Sequence, residues 1–213
     1  MTTLTLQPNA ATGKDASLQQ SSPIANTGAN DIGWIGWYDA ASNYRCLFQF
    51  DLTSIPASAT VNSAVLTLYR YGNDGTTAYS YGAYEVLRAW TEGTGTDTET
   101  GDGTDWNTYD GTNNWGTAGC NNTTSDRSAT AENAHAINYA SDNTWSIPIM
   151  VQDWVTTPAN NKGVLIATLD AYSAQGVFTA YMSDDVTAGN RPKLVVEYTE
   201  AGTVYQATLT GTF

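Results

Sequence analysis

The densest run of oxygen ligands in the chain is TDTETGDGTDWNTYDG, residues 96–111. It carries Asp97, Glu99, Asp102, Asp105 and Asp110. A hard cation such as calcium takes six to eight oxygen ligands, so these five are candidate calcium ligands. The spacing is not that of an EF-hand, which needs a glycine at position six and a distal glutamate. Apart from calcium, no cofactor is expected. A glycosidase needs two facing carboxyls, and Glu92, Glu99, Asp102 and Asp105 are the acids to consider. In a Gly/Thr loop they are expected to point into water, where neither member of a pair gains a raised pKa. His135 is the only histidine and lies in ATAENAHAIN. A Ser-His-Asp or Cys-His arrangement would have to use it, yet no G-x-S-x-G or other strong nucleophile motif accompanies it. Cys46 and Cys120 do not have a metal spacing, and whether they pair depends on a Cα separation below about 7 Å. The chain is therefore expected not to be an enzyme. Aromatic faces offer a different chemistry, stacking on sugar rings. Trp34, Trp37 and Tyr38 in GWIGWY are candidates, with Trp106, Tyr109 and Trp115 further on. Each also reads as a core aromatic, and alternation turns at least one of Trp34 and Trp37 inward.

The elements that must position these residues read as strands. Strand-like runs fall at 3–7, 15–19, 32–37, 44–51, 64–71, 79–88, 144–149, 163–169, 177–182, 194–198 and 204–210, split by Gly, Asn, Asp and Pro. Cys46, Phe48 and Phe50 share one face by period two, as do Ala64, Leu66 and Leu68 in the next run. Phe48, Phe50, Leu66 and Leu68 are predicted core. One short helix is predicted over 149–155, after Pro148. There is no βαβ alternation. The expected fold is all-β: a jelly-roll β-sandwich with one short helix and a long loop insertion. A single domain is expected over 1–199, with the insertion at about 95–143, followed by a C-terminal strand or arm at 200–213. Trp90, Trp106, Trp115 and Trp145 lie within or beside this insertion, which is long for a compact domain and so expected to be functional, partly structured or mobile.

Composition sets the outer limits. The chain has 213 residues, 41% hydrophobic and only 14% charged, with 19 glycines. That length suffices for a core without disulfide or metal staples. The 21 acidic residues against 8 basic give a net charge of −13 with no Lys/Arg cluster. A field of that sign repels phosphate backbones and acidic membranes, so neither nucleic acid nor membrane is an expected partner. No apolar run approaches the length of a transmembrane helix. The opening MTTLTLQPNAATGKDASLQQ lacks a basic n-region and an apolar h-region, so no export leader is expected there.

Four motifs in order carry a resemblance. RCLFQFDLTSIPASATVNSAVLTLY (45–69), VLRAWTEG (86–93), IPIMVQDWVTTPANNKGVLI (147–166) and RPKLVVEYT (191–199) resemble the signature blocks of DNRLRE-type domains, and KDASL (14–18) is a weaker match. These are disaggregatase-related, carbohydrate-binding-module-like jelly rolls. The resemblance implies a jelly-roll fold and a non-catalytic role, in polysaccharide-active, cell-surface or phage structural proteins. The long insertion and the C-terminal arm depart from the pattern.

Two functions are expected to compete. The first is a structural protein on a virion surface, most concretely a phage capsid decoration (cement) protein, with a capsid or other virion protein as partner and a homo-oligomeric state. Its assembly contacts would come from the two alternating ends, Leu4 and Leu6 in TTLTLQ and Val204, Tyr205, Leu209 and Phe213 in the tail. The alternative is a carbohydrate-binding module of a secreted or cell-surface protein, located outside the cell, with a glycan on the aromatic surface.

Overall fold

The computed structural model describes residues 1–75, 79–168 and 174–201. In chain order the strands are β1 (Thr2–Leu6), β2 (Asp15–Gln19), β3 (Ile32–Asp39), β4 (Ser42–Phe48), β5 (Thr60–Leu68), β6 (Arg70–Gly75) and β7 (Ser80–Glu85). They continue with β8 (Asn133–Ala136), β9 (Asn143–Ser146), helix α1 (Pro148–Thr156), β10 (Val164–Thr168), β11 (Gly176–Tyr181) and β12 (Lys193–Thr199). Two antiparallel sheets form. One has four strands in the order β1-β12-β5-β9. The other has eight, in the order β6-β11-β3-β4-β10-β7-β8, with β2 also paired to β4. The molecule is an all-β sandwich of the jelly-roll type.

Period two explains the smaller sheet. In β5, Ala64, Leu66 and Leu68 are buried and alternate with less buried Ser63, Val65 and Thr67. In β12, Leu194, Val196 and Tyr198 do the same, and register sets Leu194 opposite Leu66 and Val196 opposite Ala64. These side chains meet Ile35, Cys46, Phe48, Val164, Ile166 and Phe178 of the larger sheet in the main core. Phe48, Phe50, Leu66 and Leu68 are all buried there, as expected. Helix α1 seals one end with Met150, Val151, Trp154 and Val155. Pro148 occupies its first turn, where a missing N–H costs nothing. The Glu132 carboxylate caps it from a distance, accepting the Ile149 and Met150 N–H groups at 2.7 and 2.8 Å. No described helix is long and apolar enough to cross a membrane.

Strand β10 is buried along its whole length, because the larger sheet is covered on both faces. Ala16, Leu18, Leu47, Tyr84, Val86, Leu165 and Ala167 form a second core with Trp90, Trp106, Trp115 and Cys120. The insertion is therefore not a solvated loop. It is a folded cover lying on the outside of the large sheet.

Several expectations shift. The single run at 64–71 is two strands in different sheets, β5 and β6, with the break at Tyr69. Strand β8 lies inside the segment read as loop, and its His135 sits opposite Tyr81, with its ring 5.0 Å from that of Trp145. Strand β1 pairs with β12 from Thr2 opposite Tyr198 to Leu6 opposite Leu194. Leu4 and Leu6 pack against the main core, so the chain's own sandwich occupies the two leucines expected at an assembly contact. The predicted strand at 204–210, with Val204, Tyr205, Leu209 and Phe213, lies outside the described residues. Cys46 and Cys120 are both buried and unpaired by a disulfide, and burial pushes both thiols well above their ordinary pKa.

Candidate functional site

Three acids of the 96–111 run, Asp102, Asp105 and Asp110, each close a local turn. Asp105 accepts the N–H groups of Asn107 and Thr108 at 2.7 and 2.6 Å and the Thr108 hydroxyl at 2.9 Å. Asp110 accepts the N–H groups of Thr112 and Asn113 and the Asn113 side-chain amide. Asp102 accepts the hydroxyls of Thr94 and Thr100. Those bonds hold the Asp102 and Asp110 carboxyls below the usual range. Asp97 and Glu99 are exposed, with Asp97 in the left-handed region at φ 61°. The run does not form the expected calcium loop: no three of its five carboxylates come within metal-ligand spacing of one another, and Asp102, Asp105 and Asp110 are spent on local turns.

The aromatic candidates also divide. Trp106 and Trp115 are inside the second core rather than on the surface, because the insertion folds down over them. Trp115 donates its indole N–H to the Asp105 carbonyl at 3.1 Å. The Arg45 guanidinium lies over the Trp106 ring and donates to the Gly119 carbonyl at 2.6 Å. Gly119, at φ 76°, approaches that ring so closely that a Cβ would stand 2.7 Å from it. Tyr109 is half-buried edge-on to Trp115, under the Arg88 guanidinium. Outside the insertion, Trp34 and Trp37 are half-buried and Tyr38 is 43% exposed. Trp34 stands opposite Thr179, on the face of β3 and β11 that points away from Ile35 and Phe178. Tyr181 shares that face and meets the 55% exposed Tyr71 edge-on at 5.3 Å, while Tyr44 lies 6.4 Å from Trp34. These rings form two partly exposed pairs, Trp34 with Tyr44 on β3 and β4 and Tyr71 with Tyr181 on β6 and β11, which together make an aromatic strip.

The insertion is organised by two polar residues with no motif to announce them. The Asp126 carboxylate, fully buried, accepts the N–H groups of Gly116, Thr117 and Asn122 at 2.9–3.0 Å and the Ser125 hydroxyl at 3.0 Å. It also makes the only salt bridge among the described residues, to Arg88 Nε at 3.3 Å. Asn26 ties down the root of the insertion, donating to the carbonyls of Glu92 and Thr104 and accepting from the N–H groups of Gly28 and Gly95.

Beside that root lies the one group of three acids with metal-ligand spacing among the described residues. Asp15, Glu92 and Asp184 place a carboxylate oxygen each within 4.8 Å of one another. Asp15 opens β2, Glu92 lies two residues past Trp90, and Asp184 follows β11. Glu92 Oε1 accepts the Asp15 N–H at 2.7 Å, and Asp15 Oδ2 accepts the Ser183 N–H at 2.9 Å. Burial raises Asp15 well above the usual carboxylate range, and burial above all lifts Glu92 to about 7. Asp184 is raised too, by burial first; the Ser183 hydroxyl opposes this, Asp31 adds to it and Arg191 opposes it. Lys14 faces Glu92, but its ammonium is held by Gln49 Oε1 at 2.8 Å and lies 4.3 Å over the Trp90 ring. Of this site only Glu92 stood among the sequence candidates, and with other partners. Nothing in the sequence marks Asp15, which stands between Lys14 and Ala16.

Arg45 serves Gly119 and Trp106, and Arg191 donates to the Asp185 carbonyl at 2.7 Å. No protein-family model and no curated protein sequence matches this chain.

Proposed function

We propose that this chain is a non-enzymatic structural protein built into a larger assembly, and that the assembly is a virion surface on which it serves as a capsid decoration protein. The observation that carries this reading is the edge of β1, which no other described strand covers. Strand β1 ends the four-stranded sheet, and among the described residues β12 on one side is its only strand partner. Its residues Thr2–Leu6 contain no charge and no proline, the usual guards against strand addition. Its leucines are already seated, so a neighbour adding a strand there gains main-chain bonds without disturbing the core. The resemblance to a jelly-roll domain type that also occurs in phage structural proteins points the same way.

The test is sedimentation of the purified full chain beside a Thr3→Lys/Thr5→Lys variant, then co-sedimentation of both with capsids from the same source. Wild type is expected to self-associate or bind the particles, and the double lysine variant to do neither while keeping its β circular dichroism. Equal binding by both proteins would remove β1 from the contact. No binding by either would remove the decoration reading.

The aromatic strip favours a second reading, a carbohydrate-binding module. Tyr44, Trp34, Tyr181 and Tyr71 offer ring faces and edges along one surface. Retention of the chain on an immobilised polysaccharide, lost in Trp34→Ala/Tyr71→Ala, is the outcome that reading requires.

A further inference from the structure

We propose that Asp15, Glu92, Asp184 and the Ser183 hydroxyl form a calcium site that clamps the root of the insertion to the sandwich. Two independent observations carry it. The first is the convergence of three carboxylates from three distant segments within 4.8 Å. No cation of the protein pairs with them: Lys14 is committed to Gln49 and Trp90, and Arg191 donates to the Asp185 and Val186 carbonyls. The second is Ser183. Its side chain is wholly buried and its Oγ has no hydrogen-bond partner. That hydroxyl stands beside both the Asp15 and Asp184 carboxyls and opposes the effect of burial on each. A buried hydroxyl so placed among acids that could accept its proton is explained when its lone pairs face a cation.

The donor set is oxygen only, which selects a hard cation. Calcium–oxygen distances of about 2.3–2.6 Å let ligands on opposite sides stand roughly 5 Å apart, whereas magnesium, at about 2.0–2.1 Å, demands them closer and in a stricter octahedron. Separations within 4.8 Å are inside calcium's reach. Four protein oxygens leave room for water to complete a shell of six to eight. Binding would also place a close counter-charge among three adjacent acids that Lys14 and Arg191 act on without forming a salt bridge.

The clamp has a structural meaning. Asp15 belongs to the large sheet, Glu92 to the first residues of the cover, and Ser183–Asp184 to the turn after β11. A cation among them joins all three, next to Asn26, which fixes the same root by hydrogen bonds.

The experiment is calorimetric titration of calcium chloride into the chelator-treated full chain, with thermal unfolding at low and saturating calcium. Wild type is expected to bind one calcium and to unfold at a higher temperature when loaded. Asp184→Asn is expected to bind about 100-fold more weakly. Ser183→Ala, which leaves every carboxylate in place, is expected to bind about tenfold more weakly and guards against a folding defect in the first variant. Asp102→Asn, in the 96–111 run, is expected to bind as wild type. The proposal is overturned by no heat of binding at millimolar calcium, by a preference for magnesium, or by wild-type affinity in both Asp184→Asn and Ser183→Ala.

Discussion

The molecule has two cores on the two faces of one sheet, and they are built differently. Between the sheets, Phe48, Leu66, Leu68, Trp145, Ile166 and Phe178 interlock on ladders whose backbone groups satisfy each other. Under the insertion, three tryptophans supply the apolar volume, but no ladder holds the backbone above them. Side chains take that role: Asp126, Asn26, Asp105 and Asp110 accept or donate the bonds that strand partners would otherwise make. The difference teaches that a cover made of turns concentrates its stability in a few polar residues, whereas a sandwich spreads it over many apolar ones.

That contrast can be broken at its strongest point first. Phe48→Ala should destabilise the whole protein by about 3–5 kcal/mol in denaturant titration, since it opens a cavity in the main core. A loss below about 1 kcal/mol would mean that the sandwich tolerates what the comparison says it cannot. Asp126→Ala comes next. It strands three backbone N–H groups and the Arg88 guanidinium, at about 2–4 kcal/mol. The loss should be local: hydrogen exchange should rise across 94–128 while β5 and β12 stay protected. Uniform deprotection of the sandwich would show that the cover is not a separate unit.

A smaller effect follows from pH. Glu92 is raised from 4.5 to about 7 in the folded state, so the folded protein binds its proton more tightly than the unfolded chain does. Its contribution is fully present below pH 4.5 and is lost as pH rises through about 7. In chelator, thermal stability should therefore decline between those values, and Glu92→Gln should flatten the decline. An unchanged slope in Glu92→Gln would assign the pH dependence elsewhere, Asp15 and Asp184 being raised as well. Smallest of all is Trp34→Ala, in a half-buried ring outside both cores, which should cost about 1 kcal/mol or less. A cost matching that of Phe48→Ala would extend the packed interior to the aromatic strip.

The same contrast decides what could be read in advance. Cys46, Phe48, Leu66 and Leu68 alternate, and alternation is local, so the sandwich and its inner face were legible. So was α1, announced by Pro148 and the Met150, Val151, Trp154 spacing. The break at Tyr69 was not, because no glycine or proline marks the change of sheet. Strand β8 hid because NAHA has almost no apolar contrast. The cover was misread because its folding information lies in Asp, Asn and Thr side chains, which look the same whether they bond to water or to a backbone. Trp106 and Trp115 were noticed, but their burial depends on Gly119 and Arg45 arriving from elsewhere. The acid cluster was the least legible part. Its members are scattered over 169 positions of chain, from 15 to 184, and meet only when the sheets close.

The pairing of β1 with β12 also orders events in time. Of the described strands, β1 is made before all the others and its partner β12 after them, with Thr2 waiting for Tyr198. During translation β1 is an unmatched segment carrying Leu4 and Leu6, and β5, which also needs β12, waits with it. The larger sheet is less dependent on the end of the chain, since β3 and β4 form a hairpin and the β2–β4 ladder completes early. Synthesis therefore yields a half-built molecule, with one sheet assembled and the other open until β12 arrives. Closing so wide a loop is entropically slow. An exposed, uncharged strand during that interval is the point at which two nascent copies would exchange partners rather than each close on itself.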